Sequence, residues 1–327
     1  MKNADPIPQQ MQGRLFGIFL FGIIPGASFY FVFSGQAQVS WGWLGLATLV
    51  WYLQMVGVLI GYHRYFSHKS FETGRVMRFV FGFLGCISGQ KGPIFWACHH
   101  RMHHNGCEED HDIHSPYSYG DLKGFNLVRG FFWSHFLHLV ENGPTPVEDK
   151  WVRDLLKQPE VVFLEKQATL IYYLFGGAMV AAFGINGLIW GFFIPSFFSW
   201  NCVMLVNSAV HIWGEKPYIS KLAPDCNARN IWWLSIPMLG DNWHNNHHAD
   251  MNSARAGFYW WQLDLNYCLI WLLGKAGLVW NINQPNWKSL KEMENQHLDQ
   301  EPSFLEELPK RQRPSKVPKN KVLEGSY

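Results

Sequence analysis

The feature of this 327-residue chain with the clearest chemical meaning is a dense set of histidines, including HHRMHH at residues 99–104. The motif H-x-x-H-H occurs at residues 100–104 and again at residues 244–248, and a wider pair, H-x-x-x-x-H, spans residues 63–68. On a helix, residues i, i+3 and i+4 share one face, so each H-x-x-H-H directs three imidazoles at one point. Imidazole is the commonest side-chain ligand for metals, so the pattern predicts a metal site.

The number of these histidines indicates two metal ions. The three motifs supply eight imidazoles and His211 supplies a ninth, whereas one ion takes about four to six ligands. A structural zinc would be complete with four ligands, so a pair of irons that also binds oxygen uses the set more economically. The predicted ligands are His63, His68, His100, His103, His104, His211, His244, His247 and His248.

Other polar residues are predicted to support these ligands. Asn207 lies one helical turn before His211, where it could orient a metal-bound water or an imidazole. His99 and Asp241 are predicted to lie just outside the ligands. We expect the remaining histidines either to support the ligands or to be structural: His111, His114, His135, His138 and His297. The strings Glu108-x-x-His111 and Glu294-x-x-His297 are not predicted to supply primary ligands. The absence of H-E-x-x-H argues against a zinc protease.

The helices that must position the histidines are apolar. Residues 15–62 and 167–210 contain no Asp, Glu, Lys or Arg, and each stretch is twice the roughly 20 residues that one spanning helix needs. The polar breaks Ser34–Gln38 and Gly184–Gly187 divide each stretch in two. The sequence therefore predicts an all-α integral membrane protein with four transmembrane helices in two hairpins.

The charge distribution predicts the orientation. Both hairpin loops lack Lys and Arg, so the positive-inside rule places the two termini and all histidine motifs in the cytoplasm. The predicted segments are a polar lead at 1–14, hairpin 1 at 15–62, a cytosolic segment at 63–166, hairpin 2 at 167–210, a cytosolic cap at 211–285, and a disordered basic tail at 286–327. Within the cytosolic segment, Val76 to Trp96 is predicted to be one helix lying at the membrane interface.

Composition excludes other classes of protein. Charged residues make up 16% of the chain and the net charge is +2, which favours a lipid bilayer and no nucleic acid as partner. The six cysteines form no C-x-x-C pair, so no thiolate zinc site is indicated. In a cytoplasm-facing protein we expect all six to be reduced thiols.

Several motifs resemble those of a known family. HRYFSH, HHRMHH and HNNHH, separated by apolar hairpins, resemble the membrane-bound fatty acyl desaturases of the acyl-CoA delta-nine type. NSAVH at 207–211, GDNWHNNHH at 240–248, SARAG at 253–257 and WWQLDL at 260–265 are similar to further family segments. The resemblance covers about residues 40 to 285.

The resemblance implies a fold and a reaction. It implies that the nine histidines above bind two irons, that Asn207 acts through a water, and that four transmembrane helices lie under a cytosolic helical cap. It implies that a cis double bond is inserted into a fatty acyl thioester with O2 as co-substrate. The electrons are expected to come from a separate ferredoxin-like or cytochrome b-type protein with an NAD(P)H reductase.

Departures from the family pattern leave the substrate open. His99 stands where the better-known eukaryotic members carry Asp, and Ile113 replaces Pro in an Asp-Pro-His string. The carrier could be coenzyme A or an acyl carrier protein, and the product a double or a triple bond. A lipid hydroxylase with a similar centre and a membrane metal-storage protein are the alternatives of other kinds.

Overall fold

The computed structural model describes residues 9–109 and 112–294, and helices dominate these ranges. The helices are α1 Gln9–Phe33, α2 Trp41–Ser67, α3 Arg75–Cys86, α4 Pro93–Asn105, α5 125–142, α6 Asp149–Val152, α7 Pro159–Leu188, α8 Ile194–Asn207, α9 Ala209–Ile212, α10 His244–Ala249, α11 Leu265–Lys275 and α12 Trp287–Glu292. Single 3₁₀ turns lie at Pro116–Tyr119 and Trp232–Leu234. The two short strands, β1 Glu72–Thr73 and β2 Val279–Trp280, pair antiparallel and tie the end of α2 to the C-terminal region.

Among the described residues, three helical stretches are long and apolar enough to cross a membrane. They are Gln9–Phe33, Trp41–Ser67 and Pro159–Ile212. The third has 54 residues, about 80 Å if it were straight, far more than the roughly 30 Å of a bilayer core. The left-handed backbone of Gly184 (φ 59°) interrupts it, and Gly187 then lies against Met179, so the chain folds back on itself.

The two predicted hairpin loops lie together at one end of the bundle. The backbone N–H of Gln38 in the first loop donates to Asn186 Oδ1 in the second (2.7 Å), and Trp190 Nε1 donates to Gln38 O (2.8 Å). The histidine motifs lie at the opposite ends of the same helices, because α2 carries His63 near its C-terminus and His211 follows α8. The apolar helices therefore place His63 and His211 at the same end of the bundle.

Three predicted boundaries differ from the structure. Val76 to Trp96 is not one helix, because Gly89 and Lys91 both adopt positive φ (77° and 67°) and separate α3 from α4. The N-terminal lead overlaps a helix, since α1 begins at Gln9. The predicted tail begins with α12, whose Leu290 is buried with Tyr218 and Phe258, and residues 295–327 lie outside the described residues.

Close packing of α2 against α3 depends on small residues. A Cβ at Gly57 would overlap the backbone of Leu84 and Gly85, and a Cβ at Gly85 would overlap the Tyr62 ring. Because backbone atoms cannot rotate away, any side chain at Gly57 must push the two helices apart. This contact holds α2 in the position from which it presents His63.

We expect Gly57→Ala to lower the free energy of unfolding by about 1–3 kcal/mol, as is typical of overpacked cores. Thermal unfolding of the purified protein in detergent measures the effect. Gly45→Ala on the same helix is the matched control, because a Cβ there meets nothing within 4 Å. That control should stabilise the helix by up to about 1 kcal/mol. Equal melting temperatures for the two variants would contradict the packing argument.

Candidate metal centre

Five histidines from three segments turn toward a common point. This first group combines the end of α2 and the turn after it with α4 and α10, and its members are His63, His68, His100, His104 and His247. Nε2 of His247 lies 2.9 Å from that of His63 and 3.0 Å from that of His104. Nε2 of His100 lies 2.8 Å from that of His68 and 3.1 Å from that of His104.

Four further histidines form a second group beside the first. Nε2 of His244 lies 3.1 Å from that of His211 and 3.0 Å from that of His248. The His103 ring lies 5.3 Å, centroid to centroid, from the rings of both His211 and His248. The structure therefore brings all nine sequence-predicted histidines together, divided five and four. Of the nine, all but the partly exposed His100 are buried.

These distances suit metal ions. Two nitrogens bound at right angles to an ion about 2.1 Å away lie about 3.0 Å apart, close to the Nε2 separations given above. Burial, and then the charge of neighbouring histidines, lowers the pKa of six of the nine well below the ordinary value: His68, His100, His104, His244, His247 and His248. These six imidazoles are therefore held neutral, which is the form that binds a metal.

Carboxylates fix the orientation of three imidazoles. Nδ1–H of His63 donates to Asp241 (2.7 Å), that of His103 to Asp112 (3.0 Å) and that of His211 to Glu108 (3.1 Å). A carboxylate only accepts hydrogen bonds, so the proton must be on Nδ1 and the Nε2 lone pair is free to face the group. Carboxylate–histidine pairs of this kind raise ligand basicity in metal sites.

Asp241 is itself held by a buried arginine. Arg64 Nη2 contacts Asp241 Oδ1 at 2.7 Å and Asp264 Oδ1 at 3.0 Å, and Asn266 Nδ2 donates to Asp241 at 3.3 Å. Burial alone would raise the pKa of Asp241, but Arg64 and His63 outweigh it and hold that pKa below the ordinary value. Asp241 therefore remains a carboxylate and can keep His63 in place.

Two other predicted supporting residues take different positions. His99 donates from Nδ1 to Phe95 O (2.8 Å) and accepts from the Thr145 hydroxyl, so both its nitrogens are engaged away from the two groups. Asn207 lines a cavity together with His100. Arg101, inside HHRMHH, turns away to Asp154 (2.8 Å). His111 and His297 lie outside the described residues.

Sequence reasoning missed the partners of the second group. Glu108 and Asp112 lie within ten residues of HHRMHH, which was the available signal, but their histidine partners could not be inferred from spacing. The expectation that all six cysteines are reduced thiols is wrong, because Cys107 and Cys226 form a disulfide between segments 119 residues apart. Cys226 Sγ also lies 3.4 Å from Nδ1 of His248.

An apolar cavity of about 260 Å³ adjoins the first group. His100 and Asn207 contribute to its wall, and the Trp96 ring stacks on His100 with centroids 4.7 Å apart. The rest of the wall is mainly aromatic and aliphatic and includes Phe16, Phe19, Leu20, Tyr172, Trp200 and Met204. The cavity can therefore hold an apolar chain against the histidines.

Comparison with known proteins agrees with the motifs. The family model described as fatty acid desaturase matches residues 40–282. The chain is 34% identical to hex-5-enoyl-[acyl-carrier protein] acetylenase of Moorena producens, over 76% of this chain and 79% of that protein. It is also 34% identical to sn-2 palmitoyl-lipid 9-desaturase of Nostoc sp. (77% and 87% covered), and 32% identical to sn-1 stearoyl-lipid 9-desaturase of Anabaena variabilis (81% and 92%).

The family match covers about three quarters of the chain and includes all nine clustered histidines, from His63 to His248. Each relative named above also matches over more than three quarters of its own length. The chain belongs to the fatty acid desaturase family.

Proposed function

We propose that this protein is an oxygen-dependent fatty acyl desaturase that inserts a double bond, cis and near carbon 9, into an acyl chain. The observation that carries the proposal is the contact between the first histidine group and the apolar cavity, whose wall includes His100 and Asn207. An alkyl chain in that cavity would lie beside a group of side chains suited to hold a redox metal. The 9-desaturases of Nostoc and Anabaena support this reaction.

The proposed cofactor is a pair of irons, one in each histidine group. Bound there with O2, they would supply the oxidising power needed to remove two hydrogens from an unactivated alkyl chain. Asp241, Asp112 and Glu108 keep the Nδ1 protons of His63, His103 and His211 in place, so that Nε2 faces inward. Asn207, in the cavity wall, is proposed to orient a water.

The overall reaction also needs electrons and a membrane. Oxidising one CH2–CH2 unit with one O2 to an alkene and two waters consumes two electrons and two protons. We propose that an external ferredoxin-like or cytochrome b-type protein, with its reductase, supplies the electrons. We further propose four spanning helices in two hairpins, with the histidine groups at the cytoplasmic face. The disposition of the Gln38 and Asn186 loops opposite the histidines supports this arrangement.

The substrate's polar end has a separate place near the apolar cavity. A second cavity of about 250 Å³ is lined by Asp112, Glu148 and Pro146 among others. It shares His99, Ile113, His114 and Thr145 with the first cavity. His99 and Ile113 are two positions that depart from the family pattern, so we propose that this shared wall sets which acyl carrier is accepted.

One relative favours a second candidate. The Moorena protein is named as an acetylenase of a carrier-protein-bound acyl chain, and its identity to this chain equals that of the Nostoc desaturase. Forming a triple bond from a double bond removes two more hydrogens. This step consumes a further O2, two electrons and two protons. The same site would serve both reactions, and the product distinguishes them.

Mass spectrometry of the acyl chains in a host that expresses the protein tests the proposal, with His103→Ala as the inactive control. The expected result is a new alkene, or an alkyne for the second candidate, that appears only with the unaltered protein. A hydroxylated chain would indicate a lipid hydroxylase instead. If a supply of both thioester types, reductant and oxygen left every lipid unchanged, the metal-storage alternative would be favoured.

Filling the cavity should separate chain binding from metal binding. Met204 is buried in the cavity wall one turn before Asn207, so Met204→Trp should cut turnover of long acyl chains at least about 10-fold through lost space. Iron content should remain that of the parent. Leu170→Trp is the control, because Leu170 is an exposed residue on α7 outside the cavity. Unchanged turnover by Met204→Trp would show that the chain binds elsewhere.

A further inference from the structure

The Cys107–Cys226 disulfide lies directly beside the second histidine group. Cys107 follows α4, which carries His103, and Cys226 lies in the loop between α9 and the 3₁₀ turn at Trp232. Both cysteines are buried, their Cα atoms are 5.3 Å apart, and the bond joins segments 119 residues apart. The bond therefore ties the end of one ligand-bearing helix to a loop from a distant part of the chain.

Glu108 and Asn227 directly follow the two cysteines, and together with His211 they form a hydrogen-bonded clasp. Glu108 Oε1 accepts from His211 Nδ1 (3.1 Å) and from the Asn227 backbone N–H (3.0 Å). Glu108 Oε2 accepts from Asn227 Nδ2 (2.6 Å). The disulfide and this clasp are therefore adjacent in both segments, so a displacement of the disulfide also displaces the clasp.

The clasp needs support from the rest of the structure because the backbone conformation of Glu108 is unfavourable. Glu108 has φ of 63°, in the left-handed region that side chains rarely adopt. Its N–H donates to Asp112 Oδ2 (2.8 Å), the same oxygen that accepts from His103 Nδ1. Displacing this turn would disturb the partners of both His103 and His211.

We propose that Cys107 and Cys226 form a redox-sensitive support of the second histidine group, in which the disulfide holds Glu108 on His211 and reduction loosens it. This inference rests on the proposed function, because it takes the second group to be a metal site. In a reducing cytoplasm, disulfides that do form are usually transient and redox-sensing. A pair at the edge of an oxygen-using centre fits that pattern.

The chemical step is thiol–disulfide exchange with a dithiol. A thiolate of the dithiol attacks one sulfur, the S–S bond breaks, and a mixed disulfide forms. The other cysteine leaves as a thiolate, and the second thiol of the reagent then displaces the attacked cysteine from the mixed disulfide. Two electrons and two protons pass to the protein, which gains two thiols, and the dithiol becomes a disulfide. An oxidised dithiol reverses the step.

Reduction has a direct structural consequence. Two sulfurs about 2.05 Å apart when bonded must separate to about 3.5–4 Å once the bond is broken. Since Cys226 Sγ contacts His248 and Cys107 precedes Glu108, this separation displaces the supports of two histidines of the second group. The first group has its own carboxylate support at His63 and should be spared.

The experiment uses the purified, iron-loaded full chain in lipid nanodiscs, with and without dithiothreitol. Alkylation and peptide mass spectrometry report the state of Cys107 and Cys226, and iron per chain is measured after gel filtration into a mild chelator. The expected result is release of both thiols with about 10- to 100-fold weaker iron retention in one of two sites, restored by oxidised dithiothreitol. Cys107→Ser/Cys226→Ser should show the weakened retention with or without the dithiol. Cys86→Ser/Cys202→Ser, which removes two other buried cysteines, should respond like the parent.

Two results would overturn the inference. One is full iron retention after both thiols are released, and the other is a Cys107–Cys226 pair that is already alkylated in the untreated protein. A chain that binds no iron in either state contradicts the proposed function. In that case hydrogen exchange of the metal-free protein still tests the support, because residues 106–109 and 223–228 should exchange faster only after reduction.

Discussion

His247→Ala is expected to abolish turnover while the protein still inserts into the membrane and folds. His247 is the central member of the first histidine group, with its Nε2 2.9 Å from that of His63 and 3.0 Å from that of His104. Removing it deletes one of the proposed ligands and opens a space between two others. Mutating a residue that only supports a metal ligand typically lowers metal affinity or activity about 10- to 100-fold. Loss of a ligand itself should therefore lower turnover more than about 100-fold.

The measurement is turnover and iron per chain of the purified variant beside the parent. His135→Gln is the control, since His135 is a buried histidine bonded to Ser208 (2.9 Å) and Asn201 (3.3 Å) and lies in neither group. It should keep its iron. If His247→Ala retained full turnover with normal iron content, the assignment of the first group would be wrong.

Asp241→Asn should reduce both stability and iron binding. An amide at position 241 carries no negative charge, so the buried Arg64 loses one of the two carboxylates with which it forms ion pairs. Breaking a buried ion pair from one side typically costs about 3–5 kcal/mol, and the remaining Asp264 should keep the loss near the lower value. The amide is also free to offer N–H to His63 Nδ1, which would reverse the tautomer and turn a protonated Nε2 toward the group.

Asp264→Asn separates these two effects. Asp264 contacts the same Arg64 guanidinium but touches none of the nine histidines; its other partners are backbone N–H groups of Ala256, Gly257 and Tyr267. Both variants should melt at lower temperature than the parent. Asp241→Asn alone should lose about 10- to 100-fold in iron affinity, measured by competition with a chelator. Equal iron affinity in the two variants would mean that Asp241 supports only Arg64.

The nine clustered histidines could be predicted because their signal is local. Two H-x-x-H-H motifs read directly as helical faces, and α4 and α10 carry them as expected. The apolar stretches around them could be predicted because they lack charged residues. The predicted breaks at 34–38 and 184–187 coincide with turns of the chain in the structure. The count of four spanning helices stays a prediction, because Pro159–Ile212 is one helical stretch folded at Gly184.

The sequence predicts Asp241 as a support of the ligands, and it bonds His63, but the contacts of Glu108 with His211 and Asn227 could not be predicted, because they join distant segments. Glu108 reaches His211 across 103 residues and Asn227 across 119, and no periodicity encodes either contact. The same holds for Cys107 and Cys226. The break between α3 and α4 has local signals in Gly89 and in Pro93, the first residue of α4, whereas the left-handed conformation of Lys91 is uncommon for its residue type.

Whether the two histidine groups form a desaturase centre is decided by conversion of a saturated acyl chain by the purified protein, assayed with iron, O2 and a reductant each omitted in turn. We expect an alkene that forms only when all three are present, with about two irons per active chain. An alkene formed by iron-free protein, or a hydroxylated chain in its place, would contradict the claim that these histidines form the centre of a desaturase.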